Sequence, residues 1–254
     1  LNCSGISKFP ETTVTKMLAG KNVSVAPYIN SLRHGVSGSS TTKDLETALQ
    51  LTYLYFADPR FDQAEFDQAI KKLQSIVPNY VKQPSYKFSK ELQSTLYGEN
   101  PRKTLITEKT LEEASLATIE KDYRMLFHDA AGATAIFCGD FDIDTVLPLI
   151  QKYLGSINKG KRPFECKYEK PEILSGKATN DFKTDMQTPK VTVIEVFDAV
   201  LPEYRVLDDV ALSAATYILD MRYTKSLRED EGGTYGASTH GSMTNEPKAE
   251  ALLQ

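Results

Sequence analysis

The sequence predicts an α+β protein made of two related parts, and three observations carry that reading. Apolar residues recur at helical spacings of three and four, short strand candidates lie among them, and an aperiodic stretch rich in Lys, Pro, Glu and Gly runs from Ser156 to Gly176 with helix and strand signals on both sides. Helices and strands come in blocks rather than in strict alternation, which favours α+β layers over a doubly wound parallel sheet. A chain of 254 residues suffices for one large domain or two modest ones with a real core.

Each element follows from local chemistry. Pro10 to Leu18 predicts a short helix, with Pro in the first turn and Gly20 just past its end. The runs VSVAPYI and HGVSGSS predict two extended segments with a turn between them. A helix is expected from Thr42, with Leu45, Leu49, Thr52 and Phe56 on one stripe and Pro59 ending it. Another runs from Asp62 through Ile76 on the stripe Phe66, Ile70, Leu73 and Ile76. Pro84 divides it from a helix over Phe88 to Leu96. Thr110 with Glu113 three residues on reads as a capping box opening a helix over Leu111 to Phe127. The run ATAIFCG then predicts a strand, with Cys138 as a small buried core residue. A helix over Asp144 to Leu154 follows, with Val146, Leu149, Ile150 and Tyr153 on one face. Beyond the linker, VTVIEVF reads as a strand, Asp208 to Leu227 as a helix, and TYGASTHGSM and AEALLQ as two further strands.

Composition removes several function classes. Thirty Lys and Arg against 34 Asp and Glu give a formal charge of -4, which offers no general attraction to phosphate backbones, so no nucleic-acid partner is expected. No apolar run approaches the roughly 20 residues a membrane-crossing helix needs, so no membrane span is expected. Three widely spaced cysteines (Cys3, Cys138 and Cys166) are neither a disulfide framework nor a zinc ribbon. The chain opens without Met and stops inside a strand-like run, which reads as a piece excised from a longer protein.

The chemistry-bearing patterns are few. His34, His128 and His240 are more than 90 residues apart, and no H-x-x-E-H, H-E-x-x-H or C-x-x-C occurs, so no self-contained metal site is expected. GVSGSS lacks the spacing of a nucleophile elbow, and no Lys follows it as a P-loop requires. The stretch LREDEGGTYG, residues 227–236, has more content. Its glycine pair can end a helix in the left-handed conformation, an ordinary C-cap. The same turn can place Arg228, a fixed planar cation, and Tyr235, a potential hydrogen-bond donor to an oxyanion, on one surface. Spacing alone leaves both readings open.

LREDEGGTYG resembles the arginine–tyrosine motif in the C-terminal half of the pitrilysin/insulysin-type (M16) zinc metallopeptidases, and the preceding ALSAATYILDMRYTKSL is similar to the helix that carries it. CGDFDIDTVLPLIQKYLGSI resembles the strand, Gly-Asp turn and helix that recur in domains of this family, and TKDLETALQLTYLYFADPRFDQAEF resembles paired helices upstream. The resemblance implies the metallohydrolase fold shared by the LuxS and mitochondrial-processing-peptidase relatives, in which two halves of paired α+β domains close around an unfolded peptide. It implies a third-domain-like part over 1–157 lacking its first strands, a linker over 158–176, and the start of a fourth domain over 177–254. Zinc is implied in the full protein, held by an N-terminal half that this chain does not include. Arg228 and Tyr235 are implied to reach that site, Tyr235 on the oxyanion and Arg228 supporting it or holding substrate backbone. The partners implied are the zinc-binding half, in the same chain or a separate subunit, and unfolded peptides. The alternative is a non-catalytic M16-like scaffold or peptide-binding subunit. The style of the sequence resembles bacterial members, which favours periplasm or cell envelope over cytoplasm.

Overall fold

The computed structural model describes residues 4–127, 129–158, 160, 171–234 and 236–254. The chain divides into two compact units, Leu1–Gln93 with Glu99–Lys170, and Ser94–Gly98 with Pro171–Gln254. Both combine helices with small antiparallel sheets.

The first unit opens with the strand pair β1 (Gly5–Ile6) and β2 (Phe9–Pro10), which leads into helix α1 (Glu11–Met17). Strands β3 (Val23–Ile29) and β4 (His34–Ser40) form an antiparallel hairpin in register from Val23↔Ser40 to Ile29↔His34. Asn30 sets its turn: the side-chain oxygen accepts from the amides of Leu32 at 3.0 Å and Arg33 at 2.7 Å. A 3₁₀ turn, Thr42–Asp44, precedes α2 (Leu45–Ala57). Helices α3 (Gln63–Tyr80) and α4 (Pro84–Tyr97) follow, with Pro84 opening the second of them.

The expected single helix over Leu111–Phe127 is in fact two, α5 (Glu108–Glu112) and α6 (Leu116–Leu126). Thr107, not Thr110, is the N-cap, and Thr110 closes the capping box from the third helical position. Threonine can play either role because each asks its hydroxyl oxygen to accept a backbone amide, that of Thr110 at Thr107 Oγ1 and that of Thr107 at Thr110 Oγ1, both at 3.2 Å. Helix α7 (Ile143–Tyr153) is capped by Asp142, whose carboxylate accepts from the Thr145 amide at 2.8 Å.

An aromatic part of this unit's core lies where the end of α6 meets the last turn of α2. Tyr123 is fully buried and Phe127 is 2% exposed, their rings stacked at 4.5 Å. The Tyr123 hydroxyl donates to the Tyr55 carbonyl at 2.9 Å. In a continuing helix that carbonyl would receive the amide of residue 59, but residue 59 is proline and has none. On the other side of α2, Tyr153 donates to the Glu46 carboxylate at 2.7 Å while accepting from the Gln50 amide at 3.0 Å. That tie joins α7 to α2.

Four carboxylates are held below their ordinary values by bonds they accept: Asp44 chiefly from the Asn22 amide, Asp62 from the Glu65 amide, Asp142 from Thr145, and Glu46 from Tyr153. Lowered folded-state values mean that these groups contribute stability fully above the ordinary carboxylate range of about pH 4 and lose it as pH falls through their depressed values. Denaturant midpoints of the chain are therefore expected to fall on acidification below about pH 4.5. Asp62→Asn combined with Asp142→Asn should flatten that fall; an unchanged pH profile in the double variant would remove these two groups as its source.

In the second unit, the last turn of α4 lies along the segment after 171, with the Leu174 amide donating to Leu96 at 2.8 Å. Strands β5 (Phe197–Val200), β6 (Gly241–Thr244) and β7 (Glu250–Leu253) form a sheet of order β5-β7-β6, antiparallel throughout. Helix α8 (Val206–Tyr223) lies on β6. Its Val206, Leu207, Val210, Tyr217, Ile218 and Met221 are exposed.

Three strand expectations are corrected. Residues 133–138 belong to no strand, and Cys138 is exposed rather than buried. Of VTVIEVF only Phe197 enters β5, and Val191 is 87% exposed. Of TYGASTHGSM only Gly241–Met243 lies in β6. Strand propensity needs a neighbouring strand to become a ladder, and among the described residues none lies beside 133–138 or 191–196. Residue 159 and residues 161–170 of the expected linker lie outside the described residues, as does His128.

Candidate functional site

The Arg228 region begins where α8 changes character. The α-helix ends at Tyr223 and a π-helical stretch, Thr224–Asp230, replaces the expected continuation through Leu227. The amide of Glu231 reaches back five residues to Ser226 at 3.2 Å, and that of Gly233 six residues to Leu227 at 3.0 Å. Gly232, at φ +60, takes the left-handed conformation that stops the helix, as glycine does without steric cost. π-Helical turns inside longer helices occur frequently at functional sites.

Arg228 sits within this widened turn, exposed and without a salt-bridge partner among the described residues. Glu229, Asp230 and Glu231 beside it are also exposed. Tyr235, its expected companion, lies outside the described residues. On either side of it, the Thr234 hydroxyl donates to the Gly236 carbonyl at 2.9 Å and accepts from the Gly236 amide at 3.2 Å.

The returning chain is then fastened onto α8. The Thr239 amide donates to the Asp220 carboxylate. A Cβ on Gly241 would lie 2.7 Å from the Thr216 methyl and 2.9 Å from Leu212 Cγ, so only glycine lets β6 approach the helix there. The Met243 amide donates to Asp209 at 3.3 Å, and the Tyr204 hydroxyl donates to the other Asp209 oxygen at 3.0 Å. Donation to that carboxylate holds the Tyr204 phenol above its ordinary value. The sequence reading missed Asp209, Asp220 and Gly241. The sequence carries no signal for them, since Asp220 lies seven residues inside the expected end of the helix at Leu227.

No three His, Cys, Asp or Glu side chains among the described residues come together as a metal site. His240 lies on the segment entering β6, its amide and carbonyl both bonded to Gln254 at 2.8 Å, and His34 packs edge-on against Phe127 at 5.5 Å. A cleft in the first unit between α3 and the α5–α6 junction is walled by Phe66, Ile70, Leu111 and Leu116.

Residues 115–250, which include the whole Arg228 region, match the family model described as the peptidase M16 inactive domain. This chain belongs to the M16 peptidase family. It represents the C-terminal, non-zinc half of that family. The M16 chain is 22% identical over 253 residues to a probable zinc protease of Escherichia coli, PqqL, covering 96% of this chain and 26% of PqqL. It thus spans about a quarter of that relative's length. The crystal structure of PqqL, a periplasmic protease, superposes with TM-score 0.78 at 20% identity, over 98% of this chain and 28% of that one. The ferredoxin protease FusC, solved in complex with Arabidopsis ferredoxin, gives TM-score 0.72 at 17% identity, covering 99% and 27%. A peptidase M16 inactive domain from Pseudomonas fluorescens gives 0.66 at 16%, covering 98% and 61%. The M16 chain thus has the α+β fold of these peptidases.

Proposed function

We propose that this chain is the C-terminal-half part of a zinc-dependent M16 endopeptidase and contributes Arg228 and Tyr235 to a zinc site held by the N-terminal half. The observation that carries this reading is Arg228 itself: an exposed cation without an ion-pair partner among the described residues, on a widened turn four residues before the left-handed Gly232. An arginine so placed is available to a ligand rather than spent on its own fold. Residues 1–157 correspond in this reading to a third domain and 177–254 to the start of a fourth, joined by 158–176.

In this reading the other half holds the metal, and zinc bound there would supply the activated water that attacks the peptide carbonyl. This chain's part is electrostatic. Tyr235 donates a hydrogen bond to the oxygen that becomes negative, and Arg228 holds substrate backbone or supports that geometry. The substrates are unfolded peptides. The periplasmic location of PqqL supports placing the protein in the periplasm or cell envelope.

The test uses the intact protein and an unstructured peptide. Chelation should abolish cleavage and added zinc restore it. Arg228→Ala should lower kcat/KM by about 10–100-fold, the loss expected for one hydrogen bond to a charged group, with zinc content unchanged. Full activity in that variant would overturn the assignment. The family model's description as an inactive domain favours a second reading, a non-catalytic scaffold or peptide-binding subunit. Absence of H-x-x-E-H from the remainder of the reading frame and from its neighbour would decide for it.

A further inference from the structure

Between the helix end and β6 the chain must travel from Gly233 to Thr239, and glycines stand at 232, 233 and 236, where the backbone has more conformations open to it than at other residues. It is fastened at the near end by the Gly233 amide on the Leu227 carbonyl, and at the far end by the Thr239 amide on Asp220. Residues 239, 241 and 243 alternate along an extended chain and so share one face. They meet α8 at Asp220, at Thr216 with Leu212, and at Asp209, positions spaced three and four apart on one stripe of the helix.

Asp220 is the member of this stripe nearest the functional turn. Asp220 lies in the last α-helical turn before the π-helical stretch, and aspartate is a weak helix former, so the residue is there at a local cost. What offsets the cost is a charge-assisted bond to a backbone amide, roughly twice as strong as a neutral one.

We propose that Asp220 is a positioning residue: by accepting the Thr239 amide it fixes the far end of the 233–239 segment on α8 and so sets the place from which that segment offers its hydrogen-bond donor to substrate. The inference rests on the functional reading above. A displacement of about 1 Å of a positioned group can cost about 100-fold in rate, so a slack segment would be expressed in turnover rather than in binding.

The experiment combines kinetics and amide exchange on the intact protein. Asp220→Ala is expected to lower kcat about 10–100-fold with KM changed less than about threefold. Asp220→Asn retains an accepting oxygen and should return kcat to within about fivefold of the parent. The double variant Asp220→Ala/Tyr235→Phe should be no slower than Tyr235→Phe alone, because the first change acts through the second. Exchange of the Thr239 amide should quicken in Asp220→Ala and not in Asp220→Asn.

Unchanged kcat in Asp220→Ala, an Asn variant as slow as the Ala variant, or fully additive losses in the double variant would each overturn the inference. A silent Tyr235→Phe would overturn the functional reading instead. The exchange measurement then still reports on the Asp220–Thr239 bond, and protection kept in Asp220→Ala would overturn that too. Where the alanine variant fails to fold, Asp220→Glu carries the test. It keeps an acceptor one methylene further out, kcat should fall several-fold, and parental kcat would overturn the inference.

Discussion

In the intact protein, Tyr235→Phe is expected to lower kcat by about 10²–10³-fold, the loss that follows removal of one oxyanion donor, corresponding to about 2.7–4 kcal/mol of transition-state stabilisation. The substitution removes one oxygen and leaves the ring. On the proposed role the donor matters most when the carbonyl oxygen has become negative, because the bond is then charge-assisted. KM should therefore move much less than kcat, and bound zinc not at all. A variant within about threefold of the parent would show that the tyrosine makes no bond that strengthens in the transition state. A variant whose whole loss lies in KM would show that it binds substrate and transition state alike.

Much of this region was legible in the residues, and the parts that were not have definite physical reasons. Gly232 was readable as a left-handed stop because a glycine after a helical run is the usual solution to unsatisfied end carbonyls. The change from α to π after Tyr223 was not readable: TKSLRED contains no residue that forbids an α-helix. Asp209 and Asp220 bond backbone amides, which carry no side-chain identity and leave no mark in the partner's sequence. Gly241 lay inside the expected strand TYGASTHGSM with no role of its own, and its real constraint, the closeness of Thr216, is a contact across 25 positions.

Helices were read better than strands for a related reason. The stripe Val146, Leu149, Ile150, Tyr153 is a local pattern, and all four are buried or half-buried on α7. The stripe of α3 was also correctly periodic, yet Leu73 and Ile76 are exposed, since periodicity shows which residues share a face and not what covers it. Runs such as ATAIFCG and VTVIEVF have the composition of strands, but a strand exists only in company. Cys138 shows the consequence: its burial was inferred from a strand that does not form among the described residues, and it is exposed.

The largest expected loss of stability lies far along the sequence from the functional turn, at Phe127. Its ring stacks on Tyr123 at 4.5 Å, meets Phe56 edge-on at 5.6 Å and His34 edge-on at 5.5 Å. Those partners come from α6, α2 and β4, so one side chain joins three elements whose sequence positions span more than half of the first unit. Nothing local could replace it. Phe127→Ala removes a buried ring and leaves a cavity walled by aromatic groups that stack poorly on one another without it, which predicts a loss of about 3–5 kcal/mol. That is a large share of the roughly 5–15 kcal/mol that holds a typical domain together. Because the chain has two units, unfolding should be followed by a probe in the first, such as the near-ultraviolet signal of its tyrosines. The denaturant midpoint of that transition should drop sharply at unchanged slope. Phe127→Leu fills most of the same volume and should recover the larger part of the loss. A loss below about 1 kcal/mol in the alanine variant would mean that α2, α6 and β4 are joined by other contacts and that the aromatic cluster is not what fixes them.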